Sequence, residues 1–168
     1  MEYIVYFLVY GVVLTGVIGL LASWIDRKVT ARVQYRAGPP LLQPFWDIVK
    51  LLGKETLIPA GASRATFLLA PVAGLAGVML VSTLLWVNNF QPHHGFMGDL
   101  IAALYLFTIP SIAIIIGGFA SRNPLAGLGA SREMKLVLSY ELPFVLAILV
   151  AVIKSGFSIR LGEILAFQ

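Results

Sequence analysis

A single carboxylate, Glu141, interrupts the otherwise uncharged run Leu136 to Ile153, and it sits in the context Ser139-Tyr140-Glu141-Leu142-Pro143. A charged side chain in hydrocarbon costs a few kcal/mol or more unless it is paired or hydrated. Protonation removes that cost, so a carboxyl placed there is suited to taking up and releasing a proton. Pro143 has no N–H to offer the Ser139 carbonyl, which leaves a free acceptor one turn back for an acid or a water. A structural glutamate bonded to a neighbouring helix is the plainer reading. A proton relay is favoured, because ionisable groups inside membranes mark ion and proton paths. Glu133 lies two turns earlier, ~12 Å along a helix axis. With Ser131 as N-cap it is expected in the first turn of that helix, where an acidic group suits the positive helix end.

The second candidate region is basic. Lys28, Arg32 and Arg36 recur every four residues and form one stripe if the first helix continues past the lipid. Gly38-Pro39-Pro40 is expected to end it, since two prolines fix φ and remove two donors. Phe45, Ile48, Val49 and Leu52 then fall at i, i+3, i+4 and i+7, with Asp47, Lys50 and Lys54 opposite. That helix is too short to span, so it is expected at the membrane interface or against a partner. Ordinary surface anchoring explains a basic loop and an amphipathic helix, but it does not need the rigid Gly-Pro-Pro break.

The elements that must position these residues follow from composition. Of 168 residues, 59% are hydrophobic and 12% charged, against roughly 45–50% and ~25% in ordinary globular chains. That balance excludes disorder, a coiled coil and a soluble nucleic-acid module. Uncharged runs at about 3–25, 67–87 and 100–121, and a fourth at 136–153 interrupted by Glu141, approach or exceed the ~20 residues that cross a bilayer. The expected fold is an all-α membrane protein: a single transmembrane domain over 1–168 with four spans, an amphipathic helix in the loop 26–64, and a short segment at 158–166. Lys and Arg number seven in 26–64 and three in 121–135, against two beyond the fourth span and none in the N-terminus or the 88–99 connection. The positive-inside rule therefore puts the two basic connections in the cytoplasm and the N-terminus and tail outside. The chain has no cysteine, so it cannot by itself hold a thiolate zinc site or an iron–sulfur cluster.

Other features carry less. His93-His94 are adjacent and converge poorly on one metal. Pro110 is expected to kink the third span. Gly11, Gly16, Gly19, Gly117 and Gly118 read as close helix packing. Gly127 and Gly129 lack the strand and lysine of a phosphate loop, and there is no nucleophile triad or internal repeat.

Three ordered motifs carry a resemblance. Asp26-Arg27-Lys28-Val29-Thr30-Ala31-Arg32-Val33-Gln34-Tyr35-Arg36-Ala37-Gly38-Pro39 resembles an E-R-K-x-x-A-R-x-Q-x-R-x-G-P signature, with Asp26 for the usual glutamate. Leu42-Gln43-Pro44 through Asp47, Lys50-Leu51, Lys54-Glu55 and Pro59 is similar to L-Q-P-x-x-D-x-x-K-L-x-x-K-E-x-x-x-P. Gly129-Ala130-Ser131-Arg132-Glu133 and Ser139-Tyr140-Glu141 resemble G-A-x-R-E and S-Y-E. Together these resemble the membrane anchor family, the H-type or "subunit 1" proteins, shared by respiratory complex I and energy-converting membrane-bound NiFe hydrogenases. Gly38-Pro39-Pro40-Leu41-Leu42-Gln43-Pro44 closes up without the extra residues usual in complex I, which looks like the hydrogenase branch. Complex I is the alternative, and an independent small transporter the rival outside the family.

The resemblance implies a membrane subunit without a redox centre of its own. It would seat the hydrophilic arm and couple electron transfer to proton or sodium translocation. Arg27, Lys28, Arg32, Arg36, Asp47, Lys50, Lys54 and Glu55 would face that arm or, in complex I, the quinone chamber. Glu141, Glu133, Tyr140 and Lys135 would form the relay. No cofactor is expected on this chain; NiFe and iron–sulfur clusters, or quinone in the case of complex I, are expected in the complex. Expected partners are hydrophilic iron–sulfur and hydrogenase-like subunits, antiporter-like membrane subunits and the lipid of the cell membrane, with no nucleic acid. Family members run to nearly twice this length, so a separate chain is expected to supply the second half, unless this is part of a longer one.

Overall fold

The computed structural model describes residues 2–167, and every regular element among them is helical. Helix α1, Glu2–Tyr6, runs into a π-helical stretch, Phe7–Leu14, and then into α2, Thr15–Val33. The remaining helices are α3, Gln43–Leu52, α4, Arg64–Phe90, α5, Asp99–Ala120, α6, Pro124–Lys154, and α7, Leu161–Ala166, with one 3-10 turn at Pro92–His94. Four helical runs, Ile4–Val33, Arg64–Phe90, Asp99–Ala120 and Pro124–Lys154, are long and apolar enough to cross a membrane. All four expected spans are present, each as the apolar part of a longer helix except the third, which matches it. The chain divides into two compact units, 12–57 and the rest.

In the larger unit α4, α5 and α6 pack in sequence, with the closest association between α4 and α5. Small residues make the seam. Ala70, Gly74, Gly77 and Val81 are buried along one stripe of α4, and Ala103 and Ala113 along α5. A Cβ on Gly77 would stand 2.7 Å from Cγ2 of Ile109, and one on Gly74 3.1 Å from Cβ of Ala113. Without a hydrophobic drive between helices in lipid, such close approach is what holds them together. Leu69 and Val72, by contrast, are 63% and 61% exposed, the reverse of a soluble protein and the expected face for lipid or other chains. Gly118 packs on Ala130, and Gly11 on Thr83 and the Met79 carbonyl. The expected packing role fails at Gly16 and Gly19, where a Cβ meets nothing within 4 Å. Tyr6, Tyr10, Phe90 and Trp86 stack in series at the end of α4, as in an interfacial aromatic belt.

Two helix ends differ from expectation. Helix α2 stops at Val33, before the prolines. Tyr35 takes a left-handed φ of 57°, while its N–H reaches the Arg32 carbonyl at 3.1 Å and the Arg36 N–H reaches Ala31 at 2.8 Å. This is a Schellman cap made without glycine. Helix α6 begins not near Ser131 but at Pro124, after Asn123, whose Oδ1 accepts from the Leu125 N–H at 3.0 Å. Proline at the first helical position after an asparagine cap is a strong start signal. Ser131 instead donates to the Gly127 carbonyl at 2.9 Å, inside the helix.

The seam predicts an asymmetry between glycines. Gly77→Val should destabilise the α4–α5 pair by about 1–3 kcal/mol through overpacking, read as earlier unfolding in titrated SDS micelles. Gly127→Ala, where a Cβ meets nothing within 4 Å, should be neutral or stabilising by up to about 1 kcal/mol. Equal effects would contradict the small-residue seam.

Candidate functional site

In the 12–57 unit, three side chains on one face of α2, Trp24, Arg27 and Lys28, hold the following loop and α3. The Trp24 indole N–H donates to the Pro39 carbonyl at 3.1 Å, and Lys28 Nζ to the Gly38 carbonyl at 3.5 Å. Gly38 lies so close that a Cβ there would be 2.5 Å from Cδ of Lys28. Arg27 pairs with Asp47 of α3 at 2.7 Å, and Gln43 Nε2 donates to the other oxygen of that carboxylate at 3.0 Å. The Arg27 guanidinium, then Gln43, hold the Asp47 carboxyl below its ordinary value of 3.8. The helix α3 itself matches the amphipathic expectation, with Pro44 buried.

The basic stripe is not a single free face. Lys28 is turned into the loop, Arg32 remains exposed on α2, and Arg36 lies beyond the helix end. Lys50 is exposed in the last turn of α3, whereas Lys54 and Glu55 follow that helix as exposed loop residues. Trp24 and Gln43, which hold this loop and the Asp47 carboxylate, were not among the residues singled out from sequence. An indole N–H has one use, and its partner Pro39 is not in periodic register with it.

In the other unit, Glu141 lies near the middle of α6, a helix of 31 residues and so about 46 Å long. Its side chain is exposed in the isolated chain, a departure from the expected burial within this chain. It lines a cleft of about 240 Å³ between α5 and α6, together with Tyr105, Phe107, Thr108, Tyr140 and Phe144. The Tyr140 hydroxyl lies 3.3 Å from Ser111 Oγ across the two helices, and Phe107 meets Phe144 edge-to-face at 6.0 Å. Ser111 was not singled out from sequence. It follows Pro110, which turns out to sit inside α5.

Glu133 is not in the first turn of its helix, because α6 starts at Pro124, more than two turns earlier. The helix dipole falls off within the first turn, so it no longer explains this residue. Glu133 shares a shallow cleft with Gly129, Arg132 and Leu136, and Lys135 is exposed. His93 is exposed, and the side chain of His94 lies outside those described. Among the described residues no three histidines, cysteines or acids group as metal ligands do.

Comparison with known proteins places this architecture. A family model described as NADH dehydrogenase matches residues 4–168. The chain is 38% identical to the H subunit of NADH-quinone oxidoreductase from Thermomicrobium roseum over 182 aligned positions, covering 98% of this chain and 53% of that one. It is 34% identical to the protein of that name from Dehalococcoides mccartyi over 181 positions (99% and 50%). With that from Geobacillus sp. it shares 34% over 172 positions (96% and 49%). The chain thus spans about half the length of the curated relatives it matches.

The Arg27–Asp47 bridge has a testable pH dependence. Because the folded carboxyl is held low, its stabilisation is present above 3.8 and is lost as pH falls from there through the folded value. In Arg27→Ala the Asp47 titration, followed by carboxyl carbon NMR, should move up toward 3.8. An unchanged titration would mean that Arg27 does not set it.

Proposed function

The chain belongs to the NADH dehydrogenase family, and on that premise we propose that it works as a coupling subunit in the membrane arm of a quinone-linked NADH oxidoreductase. The relatives favour this branch over the hydrogenase branch suggested by the short 38–44 connection. Against the Thermomicrobium protein the alignment is longer than the whole of this chain, 182 positions against 168 residues. Shortened connections therefore occur within a match to a quinone-linked relative. A hydrogenase-linked complex is the second reading, and that same closed-up Gly38–Pro44 run is what speaks for it.

The observation that carries the reading is Glu141 in its cleft. A carboxyl near the centre of a helix of spanning length is expensive unless it is neutral, hydrated or paired. Tyr105, Thr108 and Tyr140 bring hydroxyl-bearing side chains to the same cleft, with Tyr140 in turn 3.3 Å from Ser111, and hydroxyls both donate and accept, as a proton path requires. Glu133, further toward the start of α6, extends the acidic line, and Lys135 supplies a positive group close to Glu133 in sequence. In this reading the exposed face of Glu141 is covered by neighbouring chains of the complex.

The 12–57 unit would seat the hydrophilic arm. Lys50, Lys54, Glu55, Arg32 and Arg36 are exposed and free to meet a polar partner, whereas Arg27, Lys28 and Asp47 brace the loop that presents them. An apolar cleft of about 180 Å³ lined by Leu20, Leu21, Leu41, Leu42 and Phe45 suits a quinone ring or its tail as substrate. Since the chain has no cysteine, iron–sulfur clusters would be held by partner chains. Electron transfer at the arm would then bias the protonation of Glu141 through its field. By the excess of Lys and Arg, the 26–64 and 121–135 connections face the cytoplasm.

Two experiments test this. Glu141→Gln keeps size and removes titration; the complex should assemble, because a neutral amide is cheaper to bury than a carboxylate. Quinone reduction coupled to proton pumping should fall severely, while artificial-acceptor activity of the arm survives; Glu133→Gln should be milder. A Glu141→Gln complex pumping at the wild-type ratio would refute the relay. For orientation, cysteines at Met97, an exposed residue of the 88–99 connection, and at Thr56 are labelled on intact cells with an impermeant reagent. Labelling at Met97 alone is expected, and labelling at Thr56 alone reverses the topology.

A further inference from the structure

The connection that leads into α4 and the one that leaves α5 meet at one end of that helix pair. The Ser63 N–H donates to the Ala120 carbonyl at 3.1 Å. Arg64, the first residue of α4, and Arg122, two residues past that carbonyl, therefore start from adjoining points of the main chain. Both arginines are exposed. Among the described residues the ion pairs are Arg27–Asp47 and Arg160–Glu163, so neither Arg64 nor Arg122 has an acid partner. The surrounding sequence supplies none. From Thr56 to Arg132 the only acid is Asp99, which begins α5 at its far end, where it is buried and accepts the Leu161 N–H at 2.7 Å. The hydroxyls of Ser63 and Thr66, 3.0 Å apart and exposed, stand beside Arg64.

One helical turn further into the spans an apolar groove begins. It holds about 440 Å³ and is bordered by Phe67, Leu75 and Val78 of α4 and by Ile114 and Gly117 of α5. The Phe67 N–H donates to the Ser63 carbonyl at 2.9 Å, and the Gly117 carbonyl accepts the Ser121 N–H at 3.1 Å. Those two bonds put this end of the groove one turn from the arginine-bearing segments on both helices. From Phe67 the groove follows α4 to Val78, roughly 16 Å along the axis. It runs over the seam where Gly74 meets Ala113, and Leu75 and Ile114 at its borders are exposed. The small residues that let the two helices approach also leave the groove unfilled.

A phospholipid is the bilayer component that combines the two features, a phosphate above a hydrocarbon tail. Guanidinium groups bond phosphate oxygens in pairs, and basic sites between spanning helices take anionic head groups. An acyl chain in the groove gains contacts along its whole length, each small but additive. A zwitterionic lipid brings an ammonium group toward two arginines and gains less. A helix of a partner chain would fill the groove but leave both arginines without a counter-charge.

We propose that α4 and α5 bind one anionic phospholipid, with its phosphate on Arg64 and Arg122 and one acyl chain laid in the groove toward Val78. The lipid ties the entry of α4 to the exit of α5 across the Ser63–Ala120 bond. In the orientation proposed above it is drawn from the cytoplasmic leaflet, where anionic lipids are found. The site does not involve Glu141, whose cleft lies between α5 and α6, and it stands whether or not the relay does.

The test is photolabelling of the intact complex in phosphatidylcholine vesicles. The vesicles carry a small, equal fraction of either phosphatidylglycerol or phosphatidylcholine with a diazirine in one acyl chain. Labelled residues are located by mass spectrometry. Phosphatidylglycerol should label the 67–78 and 110–117 segments several-fold more than phosphatidylcholine. Arg64→Gln/Arg122→Gln should lower its labelling to the phosphatidylcholine level. Arg132→Gln, which removes an exposed arginine from α6, should leave the preference unchanged. Should the double variant fail to assemble, Arg64→Gln and Arg122→Gln singly should each reduce the preference. Equal labelling by the two lipids in the wild type overturns the proposal, as does a preference that survives loss of both arginines or falls as far in Arg132→Gln. Absence of label from both segments assigns the groove to a neighbouring chain and overturns it equally.

Discussion

Hydrocarbon offers no hydrogen-bond partner, and the arrangement of polar groups in this chain follows from that one constraint. Main-chain groups are satisfied within helices, as any spanning segment requires. Polar side chains on the spans mostly fold back on their own helix. Thr83 donates to Met79, Asn88 to Leu84, Thr108 to Tyr105, Ser121 to Gly118, Ser131 to Gly127 and Ser155 to Val152, each three or four residues back. Against that background Glu141 stands out, because its carboxylate cannot be silenced by a carbonyl of its own helix unless it carries a proton. Its chemistry is therefore a consequence of its solvent.

The same constraint explains the packing. Leucine side chains gain little by leaving lipid for a neighbouring helix, so α4 and α5 meet through Gly74, Gly77, Ala103 and Ala113 while their large residues face outward. A chain built this way leaves wide apolar faces exposed, and the cleft beside Glu141 opens on one of them. At the charged end of the first helical run, geometry is set differently. There the clasp by Trp24, Arg27 and Lys28 uses directed bonds to shape a loop.

The spans were legible because three are uncharged runs of sufficient length and the fourth is broken by Glu141 alone, and hydropathy does not depend on tertiary context. The amphipathic α3 was legible for a similar reason, its four apolar positions sharing one helical face. Helix ends were harder. Gly127 and Gly129 lie within α6 without interrupting it, since glycine in an open helix costs only about 1 kcal/mol. The Asn123-Pro124 start stands in the sequence, but the helix was read from Ser131 alone. Tyr35 ended α2 early because a left-handed tyrosine is rare enough that the prolines looked like the better stop. Asp99 could not be read at all, since its burial depends on Leu161, 62 residues away.

The central claim is that Glu141 changes protonation state as the complex turns over. Redox-induced infrared difference spectroscopy of the intact complex reads this directly, through the carbonyl stretch of a protonated carboxyl. The account predicts a carboxyl band that changes on quinone reduction, shifts in deuterium oxide, and is missing from the Glu141→Gln complex. A difference spectrum in which every carboxyl band survives that substitution unchanged would contradict it.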